Sequence, residues 1–315
     1  MTFSFSDFSS ALKSGATLSA EDVLALRRAV WPDGAVARSE AEAIFDLHRL
    51  TREPGLEWGD FFIEAISDHV LNGTEPRGYV DDETAAWLIA RIGRGGEAIG
   101  PVDLELVVRI LEKAVNAPAS LKAWALAEIE RCVLHGTGAT RRDGDVRPGV
   151  IDEAEVGLLR RIVFAAAGDG ALVVSREEAE MLWRIKDSTL GAANAPGWQR
   201  LFVQAVGNHL MAWSGYRPLE RTEAARLETF MNDRSISVVR FLSRMRGSPD
   251  FEGAKQVFEA EGTAEQHQAA VDAAEAVTPT ENAWLQSAIA RDDRRDECEE
   301  ALIRFLEEEG GSTPR

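Results

Sequence analysis

Cysteine is nearly absent: Cys132 and Cys298 are the only two in 315 residues. Two thiols cannot build a disulfide framework, so a reducing compartment fits best. Long apolar runs are missing too. The richest, Ile162 to Ala167, falls far short of the roughly 18 residues that a membrane-spanning helix needs. The N-terminus, Met1-Thr-Phe-Ser-Phe-Ser-Asp-Phe8, has no basic region ahead of an apolar core and does not read as a signal peptide. Basic charge is scarce as well. Lys and Arg number 35 against 53 Asp and Glu, giving a formal charge of −18 and a pI near 4.8. Nucleic acid and anionic lipid both call for a basic footprint, and Arg141, Arg142 and Arg147 make only a small one. These absences predict a cytoplasmic protein with no nucleic-acid and no membrane partner.

Catalytic templates are missing in the same way. There is no GxSxG elbow, no phosphate-binding Walker loop, no GxGxxG after a strand, no HExxH and no CxxC. Arg94-Gly-Gly-Glu97 is glycine-rich but falls between helices, as a turn. Carboxylate pairs such as Asp81-Asp82 or Glu153/Glu155 are expected at helix N-termini, where the dipole favours them. General acid–base chemistry needs only two converging carboxylates, but nothing in the sequence singles out a pair. The expectation is a non-enzyme.

What is present is helical periodicity. Trp58, Phe61, Phe62, Ala65, Ile66, His69 and Val70 recur at i, i+3, i+4, i+7, i+8, i+11 and i+12, one stripe of an α-helix. Similar spacing fills most of the chain, and Ala171-Leu-Val-Val-Ser175 alone hints at an extended turn. Ser19, Ser175 and Thr280 precede acidic first turns and are predicted helix caps. The fold class is therefore all-α.

The strongest feature is self-similarity. Trp58-Gly-Asp-Phe-Phe-Ile-Glu-Ala-Ile-Ser-Asp-His69-Val reads again as Trp198-Gln-Arg-Leu-Phe-Val-Gln-Ala-Val-Gly-Asn-His209-Leu, an offset of 140 residues. Glu40 to Phe45 matches Glu178 to Trp183, and Leu121 to Gly136 aligns without gaps on Trp58 to Gly73. Trp284 to Phe305 supplies a partial further copy. Tandem helix–turn–helix repeats forming two related halves are predicted, with units at 20–75, 80–137 and 152–214 and a broken fourth after 219. The domain reading is 1–140 as the N-terminal half with two units, and 150–232 as the second half. A helical insertion or spacer follows at 233–279, a partial fourth repeat at 280–306, and a frayed tail at 307–315. The polar, glycine-rich stretch 135–149 is expected to separate the halves.

The Asp33-Gly34 and Asp169-Gly170 turns carry the best case for a ligand. An Asp-Gly pair, an apolar residue and then Glu40 match the second half of an EF-hand calcium loop, but Ala29 and Trp31 stand where oxygen ligands should begin it. A hard cation takes about six oxygens, and each turn offers one or two. Turn and capping chemistry is favoured over a metal. In the middle unit Gly95 replaces the aspartate.

An apolar helix, an Asp-Gly turn and then Ser-x-Glu opening the next helix resembles the tellurite-resistance TerB-like family. The match covers Asp33 to Phe45 and Asp169 to Trp183, and the chain looks like a bacterial protein built from such units. The resemblance implies paired EF-hand-like or TerB-like hairpins, a stress-response role, and calcium or another divalent cation at Asp33, Glu40, Asp169 and Glu178.

His69 and His209 occupy equivalent positions, and Cys132 takes that place in the middle unit. All three types ligate transition metals, but on a Trp/Phe stripe a hydrogen bond inside the core is the favoured role. Eight tryptophans accompany two tyrosines. Trp58, Trp124 and Trp198 are predicted packing anchors, and Trp31 and Trp213 lie near element ends, where they are candidates for a groove. Asn194 to Trp198 reads as a helix entry. The functional expectation is a non-enzymatic acidic scaffold or adaptor with a protein partner, and the alternative is a divalent-cation-binding stress protein.

Overall fold

The computed structural model describes residues 5–14, 18–31, 34–51, 55–73, 75–93, 99–141, 146–165, 167, 174–211, 279–290 and 295–309. Within them the chain is helical, as the periodicity requires. Twelve helices are described: α1 (Phe5–Lys13), α2 (Ala20–Val30), α3 (Arg38–Leu50), α4 (Leu56–Asn72), α5 (Asp82–Ile92), α6 (Pro101–Lys113), α7 (Ala119–His135), α8 (Glu153–Val163), α9 (Arg176–Ser188), α10 (Gly197–Met211), α11 (Pro279–Ile289) and α12 (Glu297–Glu309). Among the described residues there is no strand, only one parallel bridge between Tyr79 and Asn116.

Helix starts follow local chemistry. Ser19 and Ser175 cap α2 and α9, each in a reciprocal box with the acid three residues on, Asp22 and Glu178. Asp81 caps α5, and Asp152 with Glu155 boxes α8. Thr280 departs from expectation. Helix α11 already begins at Pro279, so Thr280 lies inside its first turn, proline being well suited to that opening position. Helix α10 begins at Gly197, as the entry motif predicts. Helix α12 runs to Glu309, three residues into the stretch read as a tail. Of the spacer 233–279, only Pro279 falls among the described residues.

The apolar stripes meet in one cluster that draws residues from α1 to α12. Trp58, Phe61, Phe62, Ala65, Ile66 and Val70 bury one face of α4, which packs on α2, α3 and α6. Trp198, Leu201, Phe202, Ala205, Val206 and Leu210 do the same for α10, which packs on α8, α9 and α12. Helix α7 lies between these groups, against α5 and α6 on one side and α8 and α9 on the other. Trp124 on α7 is only half-buried, unlike Trp58 and Trp198, because α7 turns its Leu121, Ala125, Leu126 and Ile129 to the core instead.

The stretch 135–149 is more than a polar spacer. Gly136 ends α7 in the left-handed region at φ +68°, where a Cβ would lie 2.4 Å from the backbone nitrogen of Pro148. The amide of Gly149 then returns to the carbonyl of Val133 at 2.9 Å. Arg141, expected in a surface basic patch, is buried instead. Its guanidinium sits 2.5 Å from the buried Glu155 carboxylate and donates to the carbonyl of Val150. Thr140 donates to the other Glu155 oxygen at 2.7 Å. An arginine in a glycine-rich linker reads as solvated until its partner, on the next helix, is in place.

Candidate functional site

The two histidines of the duplicated sequence hold equivalent turns. On α4, His69 Nδ1 donates to the carbonyl of Val36 at 2.8 Å, while the neighbouring Asp68 accepts from the amide of Val36 at 3.3 Å and from Trp31 Nε1 at 3.0 Å. On α10, His209 Nδ1 donates to the carbonyl of Val174 at 3.1 Å, and Asn208 accepts from the amide of Val174 at 2.9 Å. A carbonyl can only accept, which fixes the proton on Nδ1 in both rings. Each ring also meets an indole edge-on, Trp87 at 5.3 Å and Trp284 at 5.2 Å. Burial pushes His69 below the usual histidine range. These are the core hydrogen bonds expected of residues on the Trp/Phe stripe. Cys132, at the matching place on α7, is fully buried.

The carboxylates proposed as metal ligands stand as follows. Asp33 and Asp169 lie outside the described residues. Glu40 Oε2 accepts from the amide of Ala37 at 2.8 Å, closing the first turn of α3. Glu178 accepts from the amide of Ser175 at 2.8 Å and pairs with Lys122 Nζ of α7 at 2.5 Å. Both glutamates thus direct an oxygen at a helix N-terminus, and Glu178 already has a cation. They sit on different helices, α3 and α9.

One group of described carboxylates does converge. The oxygens of Asp187, Asp296 and Glu299 lie within 4.8 Å of one another. Lys186 Nζ stands among them, 2.8 Å from Asp187, 2.5 Å from Asp296 and 2.7 Å from Glu299. Burial alone would lower the pKa of this ammonium; the three carboxylates more than offset it and raise it above the usual lysine range. A protein-borne cation occupies the centre of the trio. The corresponding place near α4 is taken by His48: it accepts from Trp58 Nε1 at 3.0 Å through Nδ1, and its Nε2 faces Asp103 at 3.3 Å. Indole nitrogen only donates, so both His48 nitrogens are engaged, and the ring lies flat on Phe62 with centroids 3.9 Å apart.

Between α7 and α9 runs a groove of about 580 Å³. Ala119, Ala123 and Ala127, one turn apart on α7, line it with Leu126 and Met181. Two ion pairs cross it, Lys122 to Glu178 and Arg184 to Glu130, the latter bidentate at 2.8 and 2.9 Å. Glu177 and Glu180 stand on the α9 side. Small side chains leave the room; the carboxylates colour its edge. A second cavity of about 470 Å³ between α4 and α6 is lined by Asp60, Glu64, Asp68 and Glu105 together with Arg109 and Lys113. Trp31 lines neither of these two cavities and is tied to Asp68 instead; Trp213 lies outside the described residues.

The sequence reading passed over the buried cations Lys122 and Lys186 and placed Arg141 on the surface. One signal was available for Lys122 and Lys186: each interrupts an apolar helical face, Leu121-Lys122 before Ala125-Leu126 and Ile185-Lys186 after Leu182. In comparisons with known proteins, no family model matches the chain, and no curated protein and no solved structure matches it significantly. None of these comparisons bears on the TerB-like resemblance. Among the described residues, no helix is long and apolar enough to cross a membrane.

Proposed function

We propose that this chain is a non-enzymatic, acidic helical repeat protein that acts as a protein-interaction scaffold, with the α7/α9 groove as its receiving surface. The observation that carries the reading is the groove itself: an apolar floor of alanines, wide enough for side chains of a partner segment, with glutamates on its margin. The tandem-repeat reading supports it. The Val36–His69 and Val174–His209 bonds fall at equivalent places, as do the Trp58 and Trp198 stripes. Repeat arrays bind partners on the extended concave surfaces that stacking creates. Two described groups have structural partners: both nitrogens of His48 are bonded, and Lys186 is held by three carboxylates.

Affinity capture with the wild-type chain and with an Ala123→Trp variant tests the proposal. A protein retained by the wild type, lost with the variant, and bound by the purified wild-type chain in calorimetry is the expected result. Equal retention by both chains refutes the groove as the receiving surface. The TerB-like, cation-binding stress-response reading draws on Asp33 and Asp169. Calcium titration with melting, repeated on Asp33→Ala/Asp169→Ala, decides for it if the metal raises the melting temperature of the wild type only.

A further inference from the structure

The two halves differ at one matched place, where α4 packs on α6 and α10 packs on α12. Ser67 stands two residues before His69, as Gly207 does before His209. Arg109 stands six residues after Asp103, as Phe305 does after Glu299. In the second half the ring of Phe305 closes on Gly207, 2.5 Å from where a Cβ would be. In the first half the same place holds the cavity of about 470 Å³, with Ser67 and Arg109 in its wall. Ser67 is 4% exposed, and its hydroxyl has no hydrogen-bond partner among the described residues. A buried hydroxyl left in that state is costly, and native folds keep few of them.

The charged groups of the wall fall into two sets. Glu64 pairs with Arg27, and Asp68 accepts from Trp31, Val36 and Asn72. Both oxygens of Glu105 are held by Arg161, at 2.7 and 2.8 Å. Asp60 and Lys113 form no ion pair among the described residues, and Arg109 reaches Glu105 only at 3.4 Å. These less engaged charges are spread along the cavity. Helices α4 and α6 run in the same direction: a Cβ on Gly59 would touch Val102 near their starts, and Gly78 bonds to both Leu71 and Val115 at their ends. Asp60 is therefore at one end and Lys113 at the other, with Ser67 and Arg109 between. Ile63 and Leu71 add apolar wall.

We infer that the α4/α6 cavity binds a short peptide by its two ends. The α-ammonium group pairs with Asp60, the α-carboxylate with Lys113 and Arg109, and the Ser67 hydroxyl donates to a backbone carbonyl between them. A ligand of one sign fits worse, because the wall offers an acid at one end and cations toward the other. The volume suits a small ligand. Asp60 lies eleven residues before Leu71, ~16 Å along α4. An extended tripeptide covers ~10 Å of that, and the side chains of Asp60 and Lys113 span the remainder. The site uses none of the residues that line the α7/α9 groove.

Calorimetry of the full chain with trialanine, N-acetyl-trialanine and trialanine amide tests this, with circular dichroism to verify that each variant is folded. The wild type is expected to bind trialanine, and each blocked peptide at least ~10-fold more weakly. Asp60→Asn should erase the preference over the acetylated peptide alone, and Lys113→Gln the preference over the amide alone; both positions are exposed. Ser67→Gly/Arg109→Phe, which copies the second half and fills the cavity, should abolish binding. If that variant does not fold, Ser67→Ala takes its place and should weaken binding ~10-fold. No heat with trialanine, equal affinity for the blocked peptides, or unchanged binding in the cavity variant overturns the inference.

Discussion

Replacing Lys186 with methionine keeps most of the side-chain volume and removes one positive charge. The Lys186 side chain is 1% exposed, and its partner Glu299 is also 1% exposed, with Asp296 at 8%. Without the ammonium, two carboxylates stay buried with no cation, although the amides of Asp296, Cys298 and Glu299 still donate to them. Breaking a buried pair in this way costs ~3–5 kcal/mol. Asp187, more than a third exposed, adds little because solvent screens it. At ~2–4 °C per kcal/mol for a body of this size, the melting temperature should fall by roughly 6–20 °C. Scanning calorimetry of the wild type, Lys186→Met, Glu299→Gln and the double variant gives the coupling. The double variant should be more stable than the two single losses added together, because neutralising Glu299 removes part of the burden that Lys186→Met creates. A loss below ~1 kcal/mol, the value of a surface pair, or strict additivity would refute the claim that Lys186 is the internal counter-ion of this trio.

The remaining predictions concern other named contacts. Glu155→Gln, which removes the nearer of the two carboxylates facing the buried Arg141 and leaves Asp152 at 3.4 Å, should cost up to ~3 kcal/mol in urea melts, while Glu112→Gln, a partner of the partly exposed Arg161, should cost no more than ~1 kcal/mol. Gly207→Ala on α10 would put a Cβ 2.5 Å from the ring of Phe305 and should destabilise by ~1–3 kcal/mol. By contrast Gly157→Ala, on α8 with nothing within 4 Å of its added Cβ, should stabilise by ~0.5–1 kcal/mol; equal effects at the two glycines would show that α10 and α12 are not in such close approach. His69 titrates below the ordinary histidine range in the fold, so the unfolded chain takes up its proton first as pH falls. The stability that His69 contributes is complete above its unfolded pKa, near 6.5, and is lost as pH falls below that toward the folded value; in His69→Gln the melting temperature should vary less between pH 7 and pH 5.

The all-α class, the caps at Ser19 and Ser175 and the core roles of His69 and His209 were legible because they depend on neighbours within a turn or on a repeated stripe. Helical periodicity records which face is apolar, and a capping box is complete within four residues. Thr280 shows the limit of that locality: an acidic first turn marks the neighbourhood of a helix start, and Pro279 decides the residue. Glu40 and Glu178 show a second limit. Their spacing fits a ligand as well as a cap, and only the bonds to Ala37 and to Ser175 and Lys122 tell where the oxygens point.

The long-range charge pairs, buried and exposed, were decided by the tertiary structure alone. Lys186 meets Asp296 and Glu299 across more than a hundred residues of sequence, and Arg184 meets Glu130 across 54. No local rule links such positions, since a buried cation is stable only where the fold supplies carboxylates from another helix. Helix α6 and helix α12 make the same point in apolar terms. Counting from the capping acids Asp103 and Glu299, buried Leu104, Val108 and Leu111 of α6 stand where α12 has exposed Glu300, Arg304 and Glu307. The sequence alone determined that both are amphipathic helices. Which one lies at the centre and which at the edge follows from α7, which covers α6. Low cysteine and excess acid set only the expectations about compartment and partners. The groove beside α7 exists only because α9 packs alongside it, leaving a row of alanines with space above.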